Sequence, residues 1–298
     1  MLSIVFLFAG AQAFSRDICN KTCLRQFSQS YIDALVKNDS KNLPLASIVK
    51  FTENGKEIKL GEGLWKSAKS IGEYRFFIED PETSQASFIG VVEEANGPVI
   101  LWLRLKVDKK QISEIETIVT RKGSHAIFVP ESLKTPYPPF TEAIAPNKRE
   151  SRDRLIAITN SYFDGIEAHD SKIVLADSNC DRIENGMKTT HRNTIGSKVE
   201  NCATSADLLT YIKSVDNRRF PIVDQEHGVV LAVITFDIPA GPPPMPAQST
   251  VADVELMSKL RNTARTLLLA ELFKIEIGKI QHIEAFMHNL PYGGTPGW

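Results

Sequence analysis

The chain contains two copies of one segment. Residues 30–55 and residues 161–186 align over 26 positions without a gap, at a spacing of 131 residues. The identical pairs are spread over the whole segment and include Tyr31 with Tyr162, Asp33 with Asp164, Glu53 with Glu184 and Asn54 with Asn185. Agreement over this length indicates a duplicated domain, so the fold and the candidate sites are sought twice.

The correspondence continues beyond this segment, with insertions in the second copy. Arg75-Phe76 matches Arg219-Phe220 at a spacing of 144, and residues 103–119 match residues 271–287 at a spacing of 168. A rival register matches 97–107 with 228–238 at the original spacing, but it would break the equivalence of the final hairpin. The preferred register predicts a first domain over 17–123, a Pro-rich linker over 124–149, and a second domain over 150–290 with insertions near 187–205 and 239–265.

The N-terminus has the features of a secretory signal peptide over residues 1–13. An apolar core precedes the small-x-small site Ala11-Gln12-Ala13, so the mature chain is expected to begin near Phe14. The alternative is a buried first helix or strand. Secretion by a eukaryotic cell would make the sequons at Asn20 and Asn38 glycosylation sites.

The four cysteines favour an oxidising compartment. Three pairings of four cysteines exist. Cys180 and Cys202 flank the first insertion of the second copy, so we pair them, which leaves Cys19 with Cys23. A metal site formed by Cys19, Cys23 and distant histidines is the alternative.

Composition and motifs exclude several classes of protein. With 35 basic and 36 acidic residues and no basic run, nucleic acid is not an expected partner. No apolar run approaches the roughly 20 residues that a membrane span needs. The chain has no phosphate-binding Gly-rich loop, no G-x-S-x-G and no H-x-x-x-H pair, so neither a cofactor nor a metal is expected.

Each copy has a helical pattern first and a sheet pattern second. Apolar residues recur at helical spacing from Phe27 to Leu35, and a short second helix is expected before Pro44. Asn54-Gly55 predicts a β-hairpin. Further strands are predicted at 74–80, 86–93, 98–107 and 112–120, and again at 219–224, 229–238, 266–275 and 280–287. Helices followed by a long, curved antiparallel sheet predict two tandem cone-shaped α+β barrels.

The chain resembles the nuclear-transport-factor-2-like, or SnoaL-like, superfamily in the segments CNKTCLRQFSQSYIDALVKNDSKNLPLA, KFTENGKEIKLGEGLW, DRIENG and ARTLLLAELFKIEIGKIQHIEAFMH. More narrowly it resembles secreted fungal and bacterial proteins of this fold with no settled activity. Ketosteroid-isomerase-like cyclases of fungal secondary metabolism share the fold and the signal peptide. The fold alone does not imply an activity, because it hosts enzymes and binding proteins.

The resemblance implies proton transfer next to a carbonyl group inside the cone, with no metal or nucleotide. It implies that the first helix presents a tyrosine and the start of the sheet a carboxylate, which are Tyr162 and Glu184 in the second copy and Tyr31 and Glu53 in the first. Other roles are open for these residues. The Glu-Asn-Gly motif can be a hairpin turn alone, and the tyrosines can be core residues with satisfied hydroxyl groups.

Histidines are concentrated in the second copy, which makes it the better candidate for catalysis. Five of the six lie there, and histidine exchanges a proton near neutral pH. His191 follows the Glu184 hairpin. His282 shares a strand face with His288 and Glu284, and that face is either the concave one, inside the cone, or the solvated convex one.

Two functional classes follow from the sequence. The first is a secreted enzyme that acts on a small organic molecule by cofactor-independent proton transfer, as an isomerase, cyclase, dehydratase or lyase. The alternative is a secreted binding module for a small molecule or partner. An ionisable pair with shifted pKa values inside the second copy would favour the enzyme, whereas a wholly apolar pocket would favour binding. A homodimer is compatible with either class.

Overall fold

The computed structural model describes residues 19–194, 197–241 and 262–298, together with Val251 and Glu255. The predicted signal peptide and most of the second insertion lie outside these residues. No described helix is both long enough and apolar enough to cross a membrane. The prediction of two tandem cone-shaped α+β domains is confirmed.

Domain one consists of one helix and a six-stranded sheet. Its elements are α1 (Lys21–Lys37), β1 (Leu45–Glu53), β2 (Lys56–Glu57), β3 (Ser70–Asp80), β4 (Gln85–Glu94), β5 (Gly97–Asp108) and β6 (Gln111–Thr120). The strand order is β2-β1-β6-β5-β4-β3. All neighbouring strands are antiparallel except β1 and β6, which are parallel, so the sheet is mixed.

Domain two repeats this arrangement. Its elements are α2 (Arg152–Ala168), β7 (Ala176–Glu184), β8 (Met187–Lys188), β9 (Arg192–Thr194), β10 (Ser197–Val199), β11 (Ser214–Asp224), β12 (Val229–Ile238), β13 (Arg265–Glu276) and β14 (Lys279–Pro291). The main sheet has the order β8-β7-β14-β13-β12-β11, and β9 and β10 form a separate hairpin. Equivalent elements begin 131 residues apart as far as β2 and β8, then 144 apart through β4 and β12, then 168 apart.

Each long helix has a side-chain cap and ends in a left-handed residue. Asn20 and Ser151 accept a hydrogen bond from the backbone N–H three residues on. Asn38 (φ 53°) and His169 (φ 53°) form the C-caps. The expected second helix before Pro44 is absent, because the chain passes from Asn38 through turns directly into β1.

The repeated Asn-Gly dipeptide has a structural role in both domains. Asn54 donates to Val119 O (3.1 Å) and accepts from Val119 N (2.8 Å). Asn185 makes the same pair of hydrogen bonds with Met287, at 3.1 and 2.8 Å. Both asparagines have positive φ angles, and their side chains extend the pairing of the first strand with the last by one step. The hairpin interpretation of Asn-Gly is therefore correct.

Both sheets are buried on both faces. On β5, Leu101 and Leu103 point into the cone towards α1, whereas Ile100 and Trp102 point towards domain two. This double coverage explains why the strand is almost wholly apolar. Bulges interrupt the register of β3 with β4 and of β5 with β6, and such bulges bend a sheet.

The two domains pack through the convex faces of their sheets. One buried apolar cluster contains Tyr74, Phe76, Ile78, Ile89, Val91, Ile100, Trp102 and Ile118 of domain one with Ile222, Val229, Leu231, Val233, Leu268, Ala270, Leu272, Phe286 and Leu290 of domain two. Leu133 and Phe140 of the linker complete this cluster. The linker is therefore packed on the sheets and is not a free spacer.

The C-terminal residues return to domain one. The indole Nε1–H of Trp298 donates to Thr52 Oγ1 (2.8 Å), and its ring lies 4.3 Å from Lys50 Nζ and 4.6 Å from Arg104 Cζ. The Trp298 ring therefore binds two cations on the convex face of domain one.

Both predicted disulfides are confirmed. Cys19 is bonded to Cys23 at the start of α1, and Cys180 on β7 is bonded to Cys202. No described cysteine is free.

Candidate functional site

The polar interior of domain two is organised around Tyr162. This residue lies on the inner face of α2 and is fully buried, in edge-to-face contact with Phe273. Its hydroxyl accepts a hydrogen bond from Arg182 Nη1 (2.8 Å). Burial raises the pKa of the phenol, so it stays protonated at neutral pH. Among the described residues its own hydrogen has no acceptor, so it is available as a donor.

Arg182 on β7 connects the members of the cluster. Besides Tyr162, its Nη1 donates to Ser205 Oγ (2.8 Å), and its Nε donates to Thr189 Oγ1 (3.0 Å). Its Nε also lies 3.5 Å from Glu184 Oε1. Burial disfavours the guanidinium charge, but Glu184 and Tyr162 more than offset it and raise the pKa of Arg182.

Glu271 is the buried acid of this cluster. It lies on β13 with 1% of its surface exposed, and its Oε2 has no hydrogen-bond partner among the described residues. Burial raises the pKa of Glu271 to about 8, against the lowering effect of Arg182. A buried, unpartnered carboxyl that keeps its proton at neutral pH is a feature of functional sites.

The two carboxyl groups belong to one row across the sheet. Glu271 is paired with Ala285 on β14, and Ala285 is paired with Glu184 on β7. Their backbones are thus two strands, on the order of 10 Å, apart. The intervening methyl group leaves room for the guanidinium of Arg182. Glu184 is the most exposed member of the cluster, with 18% of its side chain accessible, so it marks the side that faces solvent.

The structure separates the two predicted histidines from this cluster. His191 lies at the rim, 38% exposed, with its Nε2 3.4 Å from Asp181 Oδ1. His282 lies on the opposite face of the sheet from Tyr162, against domain one. Its ring stacks on Tyr137 of the linker (4.0 Å between centroids). The placement of His282 in the catalytic cone is therefore wrong, because its strand face is covered by the other domain.

His282 belongs to a buried network at the domain interface. Its Nε2 lies 3.4 Å from Glu284 Oε1, and Glu284 also accepts a hydrogen bond from the Tyr74 hydroxyl of domain one. His282 and Glu284 do share a face, as the sequence indicated. That face is neither the concave one nor a solvated edge.

The equivalent residues of domain one form no such cluster. The hydroxyl of Tyr31 accepts a hydrogen bond from Trp65 Nε1 (2.8 Å). Glu53 accepts from the backbone N–H of Leu64 (2.8 Å) and so holds the turn after β2. Apolar residues occupy the counterparts of Arg182 and Glu271, which are Phe51 and Leu103. Domain one therefore has an apolar interior.

The sequence analysis missed Arg182 and Glu271 because the repeat does not show them. Glu271 had a signal of its own, since it interrupts the inward-facing row Leu267, Leu269, Phe273 and Ile275 on β13. A single carboxylate among inward-facing apolar residues of a central strand is costly unless it is partnered or protonated.

One group of residues could hold a metal ion. Asp224, Glu226 and His227 lie together at the turn after β11, beside a cleft of about 390 Å³ at the edge of the domain interface. The ammonium group of Lys21 already occupies the centre of this group, 2.9 Å from Asp224 and 2.7 Å from Glu226. These carboxylates are thus neutralised by the protein itself.

One family model matches the sequence, over residues 148–287. It is described as a domain of unknown function, DUF8021, and it covers domain two from just before α2 into β14. No curated protein matches the sequence.

Several solved structures are similar to about half of the chain. A protein from Xanthomonas campestris, provisionally named a polyketide cyclase, has 11% identity and a TM-score of 0.31, and covers 45% of this chain and 90% of its own. A limonene-epoxide-hydrolase-like (LEH-like) epoxide hydrolase of Mycobacterium tuberculosis has 11% identity and a TM-score of 0.29, and covers 48% and 85%. AusH from Aspergillus nidulans has 12% identity and a TM-score of 0.28, and covers 46% and 85%. At these scores we draw nothing about function from the likenesses.

Proposed function

We propose that domain two is the catalytic domain of an enzyme that moves protons on a small organic molecule without a cofactor, as an isomerase, cyclase, dehydratase or lyase. The observation that carries this proposal is the buried Glu271, which holds its proton at neutral pH close to an arginine, a second carboxylate and a tyrosine. The alternative, a binding module, predicted a wholly apolar pocket, and the polar cluster argues against it.

The cluster offers an acid and a base on the two sides of Arg182. Glu271 retains a proton that it can donate to a substrate oxygen. Glu184 pairs with the guanidinium and reaches solvent, which suits a base that exchanges its proton with water between turnovers. Tyr162 can donate a hydrogen bond to developing negative charge on the same oxygen. Together these groups suit reactions in which an oxygen gains a proton while a carbon or water loses one.

Domain one serves as the structural partner in this proposal. Its Glu53 is committed to the backbone of Leu64, and its cone is filled by Phe51 and Leu103. The shared strand order and the constant spacings support an origin by duplication, after which one copy kept or gained the polar cluster. The two disulfides support folding in the secretory pathway.

The proposal can be tested without knowing the natural substrate. Exchange of the α-hydrogens of simple ketones, such as cyclohexanone, with deuterium oxide reports proton transfer next to a carbonyl group and is followed by proton NMR. Glu271→Gln and Glu184→Gln should each slow the enzyme-dependent exchange by about 10²–10⁴-fold.

Glu53→Gln is the matched control, since it changes the equivalent glutamate of domain one and should leave exchange unaltered. The proposal fails if both domain-two variants exchange at the wild-type rate.

A further inference from the structure

The Cys180–Cys202 disulfide lies next to Arg182 in space as well as in sequence. Cys180 and Arg182 alternate on β7, so both side chains point into the cone. Cys202 belongs to the segment 189–213 between β8 and β11, whose counterpart in domain one is only 58–69. The disulfide therefore joins the added segment to the strand that carries the arginine.

Ser205 connects the disulfide to the guanidinium. Its hydroxyl donates to Cys202 O (2.6 Å) and accepts from Arg182 Nη1 (2.8 Å). The hydroxyl is fully used by these two bonds, so its position is determined by Cys202 on one side and presented to Arg182 on the other. Thr189, from the same segment, accepts from Arg182 Nε (3.0 Å).

We propose that the Cys180–Cys202 disulfide and Ser205 are positioning elements that hold the Arg182 guanidinium against Tyr162 and the two carboxyl groups. Four of the five hydrogen atoms of a guanidinium can swing with the side chain unless fixed acceptors hold them. Here two of the three neutral acceptors come from the added segment. The catalytic meaning of this arrangement rests on the function proposed above, but the positioning itself does not.

The segment has other contacts that could hold it without the disulfide. Asp207 Oδ1 accepts from the backbone N–H of Ser171 (2.7 Å), and Ala206 packs near Gly165 of α2. If these contacts suffice, removal of the disulfide leaves Arg182 in place. The two possibilities give opposite results in one measurement.

That measurement is hydrogen exchange of the Arg182 Nε–H, followed by ¹⁵N NMR of the full chain. In the wild type the buried, hydrogen-bonded group should exchange slowly. The double variant Cys180→Ala/Cys202→Ala should exchange about tenfold faster or more. The matched control is Cys19→Ala/Cys23→Ala, which removes the other disulfide, at the start of α1, and should not change the exchange.

Single substitutions keep the test decisive if the disulfide-free chain does not fold. Ser205→Ala should also speed the exchange, and Ser205→Thr, which retains the hydroxyl, should restore protection. Ser87→Ala removes a buried hydroxyl of domain one that has no described partner, and should have no effect on Arg182. Unchanged exchange in Ser205→Ala, with an unaltered circular dichroism spectrum, overturns the inference.

The result is separable from the fate of the proposed function. Normal ketone exchange in Glu271→Gln would remove the catalytic role and leave the Arg182 measurement intact. Loss of Arg182 protection in Ser205→Ala supports the positioning role whether or not a substrate is found.

Discussion

The ammonium group of Lys21 lies 2.9 Å from Asp224 Oδ1, so the first residue of α1 in domain one binds the last residue of β11 in domain two. The reverse contact also exists. Arg152, the first residue of α2, lies 2.8 Å from Asp80 Oδ2 at the end of β3. Equivalent residues exchange partners across the interface, which is the rule for the contact between subunits of a two-fold symmetric dimer. The two domains therefore meet as an isologous pair within one chain.

The two contacts should differ in strength because they differ in burial. Asp80 is 2% exposed and also accepts from the backbone N–H of Val223 across the interface (3.0 Å), whereas Lys21 is 35% exposed. We expect Arg152→Met to lower the free energy of unfolding by about 1.5–3 kcal/mol. Lys21→Met should lower it by about 1 kcal/mol or less. Urea unfolding measures both, and equal losses would contradict the ranking by burial.

Glu271 should make the stability of the protein fall as the pH rises. Burial raises its pKa in the folded state to about 8, whereas in the unfolded chain it is near 4.5. Between these values the folded state binds more protons, so the free energy of unfolding decreases with pH, by about 1.4 kcal/mol per unit for this group. The decrease should end above about pH 8, where the group is ionised in both states.

Glu271→Gln removes this titration and keeps the shape of the side chain. The difference in unfolding free energy between the variant and the wild type should therefore change in favour of the variant from about pH 5 to pH 8. Parallel curves over that range would show that Glu271 is already ionised in the folded protein.

Arg182 and Glu271 should be energetically coupled. Arg182→Phe alone leaves the buried carboxyl groups without their cation and should cost about 3–5 kcal/mol. Adding Glu271→Leu gives domain two the residues that domain one has at these positions, Phe51 and Leu103. Because apolar replacement of a buried ionic group is often neutral, the double variant should lose less stability than Arg182→Phe alone. A double-mutant cycle in urea measures the coupling, and additive losses would contradict it.

The sequence predicted the fold well and the site only in part. Strand positions followed from alternation and turn residues, and the spacing of 131 residues aligned Tyr31 with Tyr162 and Glu53 with Glu184. Repetition, however, reports what two domains share, and Arg182 and Glu271 are where they differ. His282 was misplaced for another reason. A strand that is apolar on both faces does not reveal which face lines the cone and which meets the other domain.

Asn38 should carry an N-glycan and Asn20 should not, when the chain is directed into the secretory pathway of a eukaryotic cell. The sequon at Asn20 lies wholly inside the Cys19–Cys23 disulfide ring, and the Asn20 side chain caps α1 through Cys23 N (2.9 Å). Asn38 is exposed at the end of the same helix. Peptide mass spectrometry gives the occupancy of each site. Cys19→Ala/Cys23→Ala should raise occupancy at Asn20, and full occupancy in the disulfide-bonded protein would refute the prediction.

The protein should be a monomer. The sequence left a homodimer open, and homodimers of this fold often pack sheet to sheet. Here the convex faces are already buried against each other by the cluster that includes Trp102 and Phe286. The two reciprocal ion pairs, Lys21 with Asp224 and Arg152 with Asp80, close the ends of this interface. Light scattering during gel filtration should therefore give the mass of one chain across a hundredfold range of concentration. A stable mass of two chains would show that another surface mediates association, since separating the convex faces would expose the apolar residues they bury.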